Sequence, residues 1–110
     1  MLPGPLRDPG GNAMPTYVTL SNFTHQGIQN IKDTTKRADA FKTAAKKAGC
    51  TVKEALWVQG QYDLVSVTEA PDEATAMAMA LTIAKAGNAT TQTMRAFSAA
   101  EMEAILAKVP

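Results

Sequence analysis

Val52-Lys53-Glu54-Ala55-Leu56-Trp57-Val58-Gln59-Gly60-Gln61-Tyr62-Asp63-Leu64-Val65-Ser66-Val67-Thr68-Glu69 is the stretch whose reading decides the fold. Residues 52–59 and 62–69 are both rich in β-branched and aromatic side chains and alternate in polarity, the pattern of strands with two distinct faces. Gly60-Gln61 stands between them with glycine at the first central position of a two-residue turn, which suits a type II′ hairpin. The two runs are therefore expected to pair antiparallel.

Upstream, residues 34–48 place Ala38, Phe41, Ala45 and Ala48 three and four apart, a single apolar helical stripe, with Lys36, Lys42 and Lys46 on other faces. Gly49 is the expected stop, since glycine accepts a left-handed helix end without steric cost. Residues 16–23 are β-prone and half apolar, a first strand, and Gly27 breaks that pattern. Downstream, Pro71 ends the second hairpin strand. Asp72 is placed to cap a helix over residues 73–85, with Met77, Ala80, Leu81 and Ala84 as its inward stripe and Gly87 as its stop. Residues 90–97 read as a fourth strand. Ser98-Ala99-Ala100-Glu101 has the spacing of a capping box, and the short helix it opens carries Met102, Ile105, Leu106 and Val109 as a stripe. The order is β-α-β-β-α-β plus a C-terminal helix: an α+β, ferredoxin-like arrangement of a four-stranded antiparallel sheet with two helices on one face.

Four separated segments, Met14-Pro15-Thr16-Tyr17-Val18, Phe23-Thr24-His25-Gln26-Gly27-Ile28, Gly60-Gln61-Tyr62-Asp63 and Thr93-Met94-Arg95-Ala96-Phe97, agree in order and spacing with one known pattern. Over residues 14–105 the chain resembles the GYD domain family, named for its Gly-x-Tyr-Asp element. The resemblance implies a dimeric α+β barrel, in which two sheets pack face to face and can enclose a cavity.

A chain of 110 residues suffices for one domain with a modest core. Eleven Lys and Arg against ten Asp and Glu leave a formal charge of +1. The basic residues are scattered, which argues against nucleic acid as a partner. One cysteine, Cys50, cannot form an internal disulfide and suits a reducing compartment, so the cytoplasm is the expected location. No run approaches the roughly 20 apolar residues needed to cross a bilayer. Residues 1–13 are rich in Pro and Gly and lack a continuous apolar stretch. They read as a disordered leader or tag-like extension before a domain spanning 14–110.

Strand alternation divides the sheet into two faces. Val18, Leu20, Leu56, Val58, Val65, Val67, Met94 and Ala96 form an aliphatic set, expected beneath the helices. The opposite set includes Tyr17, Thr19, Ser21, Phe23, Trp57, Tyr62, Ser66, Arg95 and Phe97. Its mixture of aromatics, hydroxyls and one guanidinium suits a helix-free face that meets a second copy of the chain. Aromatic walls with a few orienting polar groups also suit a small-molecule pocket, which makes Tyr62, Arg95, Trp57, Thr19 and Ser66 the candidate ligand-binding residues. Arg95 could clamp a carboxylate or phosphate, or pair with an acid across a dimer. Trp57 could wall a cavity or anchor an interface. Asp63 is expected to set the turn, Cys50 to be structural, and Met77, Met79, Met94 and Met102 to fill the core. His25 stands alone in a loop, and no spacing of His, Cys, Asp or Glu calls for a metal or cofactor. Gly-rich phosphate loops, paired carboxylates and nucleophile elbows do not occur. The expected function is noncatalytic binding of a small organic ligand by a homodimer or higher oligomer, in a cavity on the helix-free face. The alternatives are a cofactor-independent oxygenase or isomerase, by analogy with other proteins of this fold, and an interaction module without a pocket.

Overall fold

The computed structural model describes residues 14–110, so the expected extension at 1–13 lies outside the described residues. The strands are β1 (Thr16–Phe23), β2 (Thr51–Trp57), β3 (Leu64–Glu69) and β4 (Ala89–Ala96), and the helices are α1 (His25–Gln29), α2 (Thr34–Lys47), α3 (Glu73–Ala86) and α4 (Ala99–Leu106), with a 3-10 turn at Ile31–Asp33. The sheet runs β2-β3-β1-β4 with every neighbouring pair antiparallel, the ferredoxin-like α+β arrangement expected.

The local signals act as their chemistry dictates. The Asp72 carboxylate accepts the Thr75 amide at 2.7 Å and caps α3, and that bond holds its pKa below the usual carboxylate range. Gly87 closes the same helix at φ 82°, a left-handed conformation that suits glycine. At α4 the Ser98 hydroxyl accepts the Glu101 amide at 3.1 Å and the Glu101 carboxylate accepts the Ser98 amide at 2.8 Å, completing the capping box. The short helix α1 was not foreseen, because five residues are too few for a periodic pattern. It exists because the Thr24 hydroxyl accepts the Gly27 amide at 3.1 Å and the Thr24 amide donates to the Asn88 carbonyl at 3.0 Å.

The β2–β3 connection is longer than the two residues expected. The strands stop at Trp57 and resume at Leu64, leaving residues 58–63 between them. Asp63 explains this: its amide donates to the Ser21 carbonyl at 2.9 Å and its Oδ2 accepts the Phe23 amide at 2.9 Å. The Asp63 carbonyl still accepts the Val58 amide at 2.9 Å, so this residue closes the connection while bonding to β1. Asp63 therefore fastens a neighbouring strand as well as its own turn.

The larger correction concerns which face the helices cover. Register places Tyr17 opposite Thr68 and Arg95, and Thr19 opposite Ser66 and Thr93, on one face. The core forms on that face from Tyr17, Ala45, Cys50 and Ala70, with Phe41, Val52, Ala76 and Met79 packed against it. The helices therefore lie on the mixed aromatic and hydroxyl set, and the aliphatic set is the open one. The inner helix surfaces are largely alanine, and small side chains on a helix are complemented by bulky ones such as Tyr17 below. In α3 the inward residues are Ala76, Met79, Ala80 and Ile83. Met77 and Leu81, expected inside, are 61% and 59% exposed. Met94, Met102, Leu106 and Val109 likewise face outward, so of the four methionines expected as core filler only Met79 packs against the core. Cys50 is buried, as expected, and burial pushes its thiol pKa up. Burial also raises the Tyr17 pKa, and its hydroxyl has no hydrogen-bond partner among the described residues.

Candidate functional site

Helix α2 packs on β2 and α3 on β4. These are the two outer strands of the sheet, so the helices stand apart over the central pair, β1 and β3. At the Tyr17 end the core fills the space between them. At the other end it opens into a cleft of about 430 Å³, with Ser21, Phe23, Leu64 and Ser66 along its floor and Phe41, Trp57 and Ile83 in its walls. Ser21 and Ser66 are only 3% and 9% exposed. Both line the cleft and supply its buried hydroxyl-bearing residues.

Several polar groups at the cleft and its rim are already engaged. Trp57 Nε1 donates to Thr34 Oγ1 at 3.0 Å, tying the end of β2 to the start of α2. Arg37 donates from Nη1 to the Asn30 carbonyl at 2.7 Å and from Nη2 to the Gly27 carbonyl at 3.4 Å, which fixes its guanidinium. Gln26 Nε2 donates to the Ala86 carbonyl at 3.1 Å and to Asn88 Oδ1 at 3.0 Å, clasping α1 to the end of α3. The charged residues of the lining are Arg37 and Lys42, both cationic. Among the described residues it contains no carboxylate, histidine or thiol that could exchange a proton with a bound molecule.

The five residues picked from sequence fall in different places. Trp57 and Ser66 meet in the cleft, on the helix-covered face and not the helix-free one. Thr19 lies beside Ser66 in an adjoining hollow of about 20 Å³ nearer the core, its hydroxyl 3.0 Å from that of Thr93. Tyr62 is on the other side: its hydroxyl donates to Gln92 Oε1 at 3.2 Å, and Gln92 shares the open face with Leu20. Arg95 shares the helix-covered face with Tyr17, its guanidinium 5.9 Å from that ring centre, but lies outside the cleft lining. Its Nη2 meets Glu101 Oε2 at 3.1 Å, its Nη1 donates to the Ala96 carbonyl, and its guanidinium lies 4.4 Å from the Phe97 ring centre. The arginine thus anchors α4 within its own chain, where a contact across a dimer was the expected alternative to ligand binding. The amide bond from Ser98, assisted by Arg95, lowers the Glu101 pKa. Sequence reasoning missed Ser21, Phe41 and Arg37 as lining residues. Ser21 shares its strand parity with Tyr17 and Thr19, and Arg37 precedes Phe41 by one helical turn, so both signals were present once the correct face was known.

The second surface is the open face. Val18 pairs with Val67 and Leu20 with Val65 at its centre, while Leu56, Val58 and Met94 beside them are 53%, 37% and 40% exposed. Among the described residues α2 and α3 lie on the opposite face from it. His25 begins α1 on the exposed surface. Among the described residues no three of His, Cys, Asp and Glu stand together as a metal-holding group, and no helix is long and apolar enough to cross a membrane.

Comparison with known proteins gives two matches. The profile of the GYD domain family matches residues 17–106. A Thermus thermophilus protein, "Glutamine synthetase and cystathionine beta-lyase binding protein", is 32% identical over 94 residues, covering 84% of this chain and 99% of that relative. No solved structure matches.

Proposed function

This chain belongs to the GYD domain family, and we propose that it is a noncatalytic binding protein. Two copies pair through their open sheet faces, and each holds a small organic molecule in the cleft between α2 and α3. The observation that carries the reading is the cleft itself. It has about 430 Å³ of mostly apolar space with two buried serine hydroxyls facing it, a size and composition typical of small-molecule sites. Pairing is supported by the open face, whose contiguous Val and Leu side chains form the kind of patch that proteins cover. The core points the same way, since no large side chain in it is fully buried. Among the described residues the lining carries no carboxylate, histidine or thiol, which favours binding over proton-transfer chemistry, such as that of a cofactor-independent oxygenase or isomerase.

A second reading, an adaptor that docks other proteins, has one observation of its own. Met77 and Leu81 lie four residues apart on the outer face of α3 and are more than half exposed, a stripe suited to a partner helix. The name of the Thermus thermophilus relative supports the same direction. The two readings are compatible, because the cleft and the outer face of α3 are separate surfaces.

Native mass spectrometry of the protein purified without denaturation tests the first reading. Two chains carrying an organic compound are expected. Two bare chains count against the ligand, and a single chain against pairing.

A further inference from the structure

We propose that the cleft selects an amphipathic monocarboxylate: a compact apolar or aromatic body seated on β1 and β3, with its carboxylate drawn toward Arg37. The inference rests on the reading of the cleft as a ligand site and adds the charge of what it takes. Among the described residues the ionisable side chains of the lining, Arg37 and Lys42, are both cationic. Arg37 forms no salt bridge with any described carboxylate, the ion pair of the described residues being Arg95–Glu101. Its partners, the carbonyls of Asn30 and Gly27, hold it in place without cancelling its charge. A planar guanidinium has five N–H donors, so the two engaged here leave donors for a carboxylate. Fixing the side chain beforehand also removes most of the entropy that a flexible cation loses on binding. Beyond Arg37 the walls are Phe41, Trp57 and Ile83, which favour an apolar body. The hydroxyls of Ser21 and Ser66, which line the floor, can accept from or donate to one polar substituent on it.

Trp57 is the sole tryptophan and reports on the cleft directly. The test follows its fluorescence, with calorimetry alongside, as the protein is titrated with 4-phenylbutanoate and with 4-phenylbutan-1-ol, two probes of nearly equal shape. The acid is expected to bind about tenfold or more tightly than the alcohol, the usual scale of one hydrogen bond to a charged group. Arg37→Gln should bring the two probes level, and Arg37→Lys should restore part of the preference. Equal affinities in the unaltered protein would overturn the charge selection while leaving the cleft as a ligand site. If neither probe gives a fluorescence change or heat, the ligand site itself is refuted, and this inference with it.

Discussion

Gly27→Ala measures how tightly α1 is seated, because a Cβ at that position would lie 2.1 Å from the Asn88 carbonyl oxygen and 3.0 Å from its carbon. Ordinary carbon to oxygen contacts begin near 3.3 Å, so α1 and the α3–β4 connection would have to separate by roughly 1 Å. The same carbonyl accepts the Thr24 amide at 3.0 Å, and the Thr24 hydroxyl donates to the Gly87 carbonyl at 2.6 Å. Opening the contact strains both bonds. Overpacking costs about 1–3 kcal/mol and a weakened hydrogen bond about 1 kcal/mol. Gly27 is helical and has no positive φ, so alanine would return up to about 1 kcal/mol through its helix propensity. The net expectation is a loss of about 2–3 kcal/mol. Urea unfolding followed by circular dichroism provides the assay. With a slope of about 1–3 kcal/mol per molar urea for a small domain, the midpoint should fall by about 1–2 M. A midpoint within about 0.3 M of the parent would refute the steric account.

Three further outcomes follow from other contacts. Val67→Lys places a charge at the centre of the open face, opposite Val18, and is expected to weaken pairing about 100-fold or more while the single chain stays folded; an undiminished dimer in sedimentation velocity would remove that face as the interface. Asp63→Ala leaves the Phe23 amide without its acceptor and should cost about 1–2 kcal/mol in urea unfolding, whereas Asp63→Asn, which keeps an acceptor oxygen, should recover most of it. The Glu101 pKa is lowered on folding from an ordinary value of 4.5, so the carboxylate's contribution is complete above that pH and is lost as pH falls through the depressed folded value. Glu101→Gln should therefore flatten the acid limb of the stability profile, and an unchanged limb would count against the capping box as its source.

Element order was legible because its signals are local. Asp72, Gly87 and the Ser98–Glu101 pair act through hydrogen bonds and backbone angles that span at most four residues. The covered face was not legible, because alternation separates Val18 and Leu20 from Tyr17 and Thr19 without saying which pair meets the helices. That choice depends on how the inner surfaces of α2 and α3 fit the sheet, and Tyr17 under alanine-rich helices outweighs the usual rule that aliphatics go inside. The candidate site inherited the inversion. Trp57 and Ser66 lie on the helix-covered face and not the helix-free one, and Arg95 pairs with Glu101, six residues on, a contact that strand alternation could not reveal.

The Asp63 clasp has a consequence for error avoidance during folding. A sheet with one apolar face punishes a one-residue slip, since every hydrophobic side chain would turn into water. Here apolar groups lie on both sides, so sliding β3 by one position would exchange Ser66 for Val65 or Val67 beneath the helices at little cost in burial. Burial alone is thus a poor judge of alignment in this domain. Asp63 supplies the missing discrimination: only one alignment lets its carboxylate reach Phe23 while its amide meets Ser21. The acidic residue of the family signature acts as a proofreader of register, and the cleft floor is correct because that one side chain fits in a single place.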